Sequence, residues 1–169
     1  MHGWKHDQLM ASDLVSDYWI LGKDLFMDHK SLHVPFLKGN MTSSCLASAS
    51  NPADPVIGSL TGAFTFIWAA AVLHVLSKAE CARFVTNTYS LLSEGGSLYG
   101  WTLGGKQAGA TGKTPDGKQD RWTHSLGSLW DLFLHVGFSR VQIDLSDEAL
   151  WGIADNSKDQ LVLCFTAFR

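Results

Sequence analysis

The stretch Phe64–Leu76, FTFIWAAAVLHVL, carries the strongest apolar pattern in the chain. Its opening run, with aromatics at Phe64, Phe66 and Trp68, predicts a strand buried on both faces of a parallel sheet. Three alanines follow, and then a single polar side chain, His74, where the strand should end. Open α/β sheets bind ligands at the carboxyl ends of their strands, so His74 is predicted at a ligand edge. An amphipathic helix over Lys78–Leu92, the pair Gly95-Gly96 and a second apolar strand over Ser97–Leu103 complete a βαβ unit. Before it, the pattern predicts a short strand over Gln8–Leu14 that ends in Asp13. A helix over Ser16–Asp28 should bury Trp19, Leu21, Leu25 and Phe26, and Val34–Leu37 should form a further short strand closing on Gly39-Asn40. Residues 42–61 lack a period and read as a surface loop. After the unit, Gly104–Asp120 is rich in glycine and lysine with no apolar anchor, which predicts a long mobile loop. Ser125 or Ser128 can then cap a helix that buries Leu129, Leu132, Phe133 and Val136 and stops at Gly137. Strands over Ser139–Leu145 and Asp159–Phe168 end the chain.

Composition narrows this α/β picture to one globular domain of 169 residues, 46% hydrophobic and 17% charged. A net charge of -3 gives no reason to expect a nucleic-acid or anionic-membrane partner. The cysteines, Cys45, Cys81 and Cys164, form neither a zinc pattern nor a disulfide framework, which fits a reducing, cytoplasmic setting. No apolar run approaches the roughly 18 residues that cross a bilayer. Seven tryptophans are more than a core of this size requires. Some of them, with Trp68, Trp101 and Trp122 as candidates, are expected to line a pocket for a flat or greasy ligand.

Two histidines stand where chemistry is expected. His74 lies at the strand edge, and His124 lies beside Trp122 at the end of the glycine-rich loop; both are candidate general acid–base groups. His29 and His33 have the i, i+4 spacing of a ligand pair, but Pro35 breaks the helix that would align them, and no metal site is expected. Gly112-Lys113-Thr114 imitates the end of a phosphate-binding loop without its first glycine.

The segments DLVSDYWILGKDLFMDH, FLKGNMTS, FIWAAAVLHVLSKAECARFVTNTYSLLSEGGSLYGWTLGG and RWTHSLGSLWDLFLHVGF together resemble the class I methyltransferase fold. More narrowly, they are similar to small fungal methyltransferases of secondary metabolism. The resemblance implies a Rossmann-like three-layer sandwich. It implies that Asp13 meets the ribose of S-adenosylmethionine, Asn40 lies near the adenine, and Ala69 and Ala70 flank the methionine part. It also places His124 on the substrate side. The family's first strand, its glycine-rich GxGxG loop and the helix behind it have no counterpart in residues 1–12, where Gly3 is the only glycine. Read with this resemblance, the chain is a truncated methyltransferase-like domain without its first strand and helix.

The expectation is therefore an enzyme that has lost cofactor use, with vestigial cofactor contacts. It would catalyse a cyclisation, isomerisation or pericyclic step on a small apolar metabolite. The alternatives are an S-adenosylmethionine-dependent O- or C-methyltransferase, clipped or completed by a partner, and a non-catalytic partner of a pathway enzyme. The strand edges left open by the missing first strand predict a homodimer.

Overall fold

The computed structural model describes residues 4–43, 57–146 and 160–169. Most of the loop expected over residues 42–61, Cys45 included, lies outside these residues. The chain forms two compact units, residues 1–59 and 60–169.

The first unit is a small strand–helix–strand. β1 (Ala11–Asp13) and β2 (Phe36–Lys38) pair in parallel, and α1 (Ser16–Phe26) connects them. Trp19 stacks on Phe36 with centroids 5.4 Å apart, and Leu37 is buried. The apolar face predicted for α1 is otherwise open. Leu21, Leu25 and Phe26 are all exposed, because within this unit the short two-stranded sheet offers the helix only the Phe36 side of β2. The helix ends where Met27 takes a left-handed conformation at φ 50°.

The second unit holds the main sheet, in the order β3-β4-β8-β7, formed by β3 (Phe64–Ala70), β4 (Leu92–Gly105), β8 (Gln160–Phe168) and β7 (Arg140–Ser146). β3 and β4 are parallel, joined by the crossover helix α2 (Lys78–Leu91), and β8 runs antiparallel to both of its neighbours. Ser77 caps α2 reciprocally with Glu80, satisfying backbone donors that the first turn would leave orphaned. Ser125 does the same with Ser128 for α3 (Leu126–Val136), and Gly137 closes that helix at φ 116°.

Both helices cover the same sheet face. Leu98, Thr102, Leu163, Phe165, Ala167 and Val141 are buried beneath them, and Phe133 of α3 meets the Phe165 ring at 5.2 Å. The face is close-packed: a Cβ on Gly100 would stand 1.8 Å from the carbonyl oxygen of Ala69 on the neighbouring strand. The opposite face carries Phe66 and Trp68, 50% and 58% exposed, with Tyr99 beside them. This corrects the expectation that β3 is buried on both sides: the two helices of the unit share one face, and β3 has a ladder partner along one edge only among the described residues.

The stretch Gly104–Asp120 is also not a bare loop. It folds into an antiparallel hairpin of β5 (Gly109–Lys113) and β6 (Asp120–Thr123). The turn Thr114-Pro115-Asp116-Gly117 closes with a bond from the Gly117 N–H to the Thr114 carbonyl, 2.8 Å, and Gly117 adopts φ 73°. Among the described residues, no helix is long and apolar enough to cross a membrane.

Candidate functional site

β4 outruns its neighbour. β3 ends at Ala70, and the N–H of Ala71, which turns away at φ 57°, gives a 2.9 Å bond to the Trp101 carbonyl. The next amide on that edge, the N–H of Leu103, lies beyond the end of β3. A single 3₁₀ turn, Leu73–Val75, places the His74 ring there instead. The Leu103 N–H donates to Nδ1 of His74 at 3.4 Å, and the Thr102 hydroxyl lies 3.3 Å from the same nitrogen. A backbone N–H can only donate, so Nδ1 is the acceptor and the neutral ring carries its proton on Nε2. Burial first, and then the charge of the Arg121 guanidinium, hold the His74 imidazolium pKa below its ordinary range. At neutral pH the ring is therefore an uncharged N–H donor.

A cavity of about 600 Å³ opens beside it. His74, Leu103, Gly104 and Gly105 line it from the sheet edge, Lys106 and Gln107 from the turn after β4, and Thr111, Arg121 and Thr123 from the hairpin; Gln160 begins β8 on the remaining side. With Nδ1 turned to the strand backbone, Nε2 is the nitrogen of His74 left to this space. No tryptophan is among its described lining residues, in contrast to the pocket read from Trp68, Trp101 and Trp122.

The other predicted residues are distributed as follows. His124 does not line the cavity. Its carbonyl accepts the Gly105 N–H at 2.9 Å and its ring is buried behind β4, with Nδ1 3.0 Å from the Ser128 hydroxyl. Burial, and then the Lys78 charge, push its pKa down to about 4. Trp101 stacks with His74 at 6.4 Å, whereas Trp68 is exposed on the open sheet face and Trp122 lies under Lys78, 4.7 Å from its ammonium. None of the three tryptophans is among the described lining residues of the cavity. Ala69 is buried and Ala70 half-buried at the carboxyl end of β3. In the first unit, Asp13 and Asn40 sit at and just beyond the carboxyl ends of the paired strands. One Asp13 oxygen takes the Val15 N–H at 3.1 Å, and the Asn40 side-chain oxygen Oδ1 takes the Thr42 N–H at 2.9 Å.

Asp13 is an exposed carboxylate with one oxygen bonded to the Val15 N–H, so its other oxygen can accept hydroxyl groups such as those of a ribose. The methionine end is not matched. The glycines of the main sheet that leave no room for a Cβ face protein atoms, Gly96 the Ser93 carbonyl, Gly100 the Ala69 carbonyl and Gly104 the Leu163 side chain, so none of them forms a cradle for a cofactor. His29 makes a 2.5 Å contact with Asp24, and no group of three metal-ligating side chains occurs among the described residues.

Sequence reasoning missed Arg121 and Lys106, because the hairpin that presents Arg121 read as a structureless loop. The signal available was Pro115-Asp116-Gly117, a turn sequence that could have paired the flanking segments.

No family model and no curated protein matches the sequence. Solved structures do. A phosphoethanolamine N-methyltransferase 2 of Haemonchus contortus, in complex with phosphomonomethylethanolamine and S-adenosylhomocysteine, aligns with a TM-score of 0.64 at 10% identity, covering 96% of this chain and 44% of that one. An S-adenosylmethionine-dependent methyltransferase of Mesorhizobium loti aligns at 0.57 and 14% identity, covering 95% and 79%. The 4+2 cyclase SpnF aligns at 0.60 and 14% identity, covering 95% and 66%. The chain thus spans less than half of the Haemonchus enzyme. At such identities the likeness is one of fold, and the chain carries the class I S-adenosylmethionine-dependent methyltransferase fold.

Proposed function

We propose that the chain is the core of an enzyme on a methyltransferase scaffold that rearranges a small metabolite without a methyl donor, by cyclisation or isomerisation. The observation that carries this reading is the bond from the Leu103 N–H to Nδ1 of His74. A ring that accepts at Nδ1 and carries its proton on Nε2 is poorly suited to strip a proton from a substrate hydroxyl, as methyl transfer to oxygen requires. It is well suited to donate a hydrogen bond to a carbonyl. Charge that gathers on that oxygen as bonds form is then met by a donor already in place, an effect worth on the order of a hundredfold in rate for one preorganised donor. No net proton transfer is needed, so one group suffices. A 4+2 cyclase among the structures of this fold makes such chemistry a reasonable occupant of the scaffold.

A second reading, an S-adenosylmethionine-dependent O- or C-methyltransferase, is favoured by the position of Asp13 and Asn40 and by structures of this fold that hold the cofactor or its demethylated product. The two readings differ in the mass of what accumulates. In the producing cell, replacing His74 with Phe should build up a precursor isomeric with the wild-type product. A precursor lighter by one methylene, or micromolar binding of S-adenosylmethionine by the chain in calorimetry, would favour methyl transfer instead.

A further inference from the structure

The cavity is cationic in a chain whose net charge is -3. Among its described lining residues, Lys106 and Arg121 carry positive charge and none is acidic. The acids of the hairpin are already engaged: Asp120 pairs with Lys113 at 2.7 Å, and Asp116 accepts from the Thr114 hydroxyl at 2.7 Å and faces Lys118.

Arg121 itself is seated rather than loose. Its Nε donates to the Thr111 carbonyl across the hairpin at 3.2 Å, which fixes the plane of the guanidinium. One terminal amino group lies over Gly112, where a Cβ would approach it to 2.8 Å, so the absence of a side chain at Gly112 leaves room for it. The guanidinium is close enough to His74 to depress the pKa of that ring. No carboxylate among the described residues pairs with it. A half-buried guanidinium with its Nε tied back, its amino groups without an anionic partner, and a cavity in front of it has the geometry that grips a planar or tetrahedral oxyanion by two parallel N–H bonds.

We propose that the substrate of this cavity bears an oxyanion, a carboxylate or a phosphate, which Arg121 holds from the hairpin. The inference builds on the reading of His74 given above: the anion anchors one part of the molecule, and the Nε2–H of His74 acts on another. It replaces the wholly apolar metabolite expected from the sequence with one that has a charged head.

The probes are benzoate, phenyl phosphate and the neutral benzamide, titrated by calorimetry into the intact chain and into Arg121→Gln. Benzoate or phenyl phosphate should bind at least about tenfold more tightly than benzamide, the equivalent of about 1.4 kcal/mol. The preference should vanish in Arg121→Gln and shrink in 0.5 M salt, where the Debye length falls to only a few ångströms. Tighter benzoate would identify a carboxylate substrate, and tighter phenyl phosphate a phosphorylated one. Should Arg121→Gln fail to fold, the salt dependence and the benzamide comparison on wild type still decide. Equal affinity for all three probes, or unchanged benzoate binding in a folded Arg121→Gln chain, would overturn the proposal. Anion binding is read here without turnover. A chain that binds benzoate through Arg121 yet releases methylated product would refute the reading of the reaction and leave the anion site standing.

Discussion

Acidification should destabilise this protein through one buried ring. His124 is only 4% exposed, bonded at Nδ1 to the Ser128 hydroxyl, and no partner for its Nε2 occurs among the described residues. Its pKa falls from an ordinary 6.5 to about 4, mainly because burial penalises the charged ring and secondarily because of Lys78. Between those two values the unfolded chain takes up a proton that the folded chain refuses. The unfolded state therefore gains relative to the fold as the pH drops through this window, and the full contribution of the neutral ring is present above pH 6.5. A gap of about two and a half units is worth roughly 3 kcal/mol, of which about 2.5 kcal/mol should be lost by pH 4.5. A domain of this kind has a total stability of about 5–15 kcal/mol, so the loss is measurable. The assay is urea denaturation followed by tryptophan fluorescence at pH 7.0 and 4.5, on wild type and on His124→Gln. The variant will be weaker at both values, since it disturbs a packed site, but it should lack the extra loss on acidification. Equal losses in the two proteins, within about 0.5 kcal/mol, would refute the buried, neutral state assigned to His124.

Gly100→Ala sets a Cβ against the backbone of the paired strand, 1.8 Å from the Ala69 oxygen, and should cost about 3 kcal/mol, the upper end of the overpacking range. An unchanged thermal midpoint would contradict the strand packing described. Ser77→Ala removes the cap of α2 and should lower stability by about 1 kcal/mol in the same measurement; no loss would deny the cap its role. The homodimer expected from the sequence is decided by light scattering on a size-exclusion column, where a particle of 18.5 kDa at every concentration would exclude it.

The parts of the fold that could be read from sequence are those where period, caps and punctuation agree. α2, α3 and β8 lie within one or two residues of their predicted bounds because each carries a continuous apolar face, and Ser77, Ser125 and Gly137 mark ends that backbone chemistry requires. The place of His74 just beyond β3 was legible by the same logic, as the lone polar side chain at the end of an apolar strand. Three features were not legible. The open face of β3 depends on which side of the sheet α2 and α3 choose, and the side chains of β3, apolar in both directions, do not encode it. The exposed apolar residues of α1 form a regular helical stripe, and the pattern cannot tell whether anything in the unit covers it. The β5–β6 hairpin has almost no hydrophobic alternation. It is held by ladder bonds, the Thr111–Thr123 hydroxyl pair at 2.7 Å and the Lys113–Asp120 ion pair, so periodicity passed over it and Arg121 with it.

The tautomer of His74 is the point on which the proposed chemistry turns, and it can be observed without knowing the substrate. Nitrogen-15 correlation spectra of the imidazole rings at pH 7, assigned by comparison with His74→Gln, distinguish a pyridine-like Nδ1 from a pyridine-like Nε2. The expected result is a neutral ring with the proton on Nε2 and Nδ1 acting as the acceptor of the Leu103 N–H. A ring protonated on Nδ1, with Nε2 free to accept a proton from a substrate, would contradict it and restore His74 as a general base.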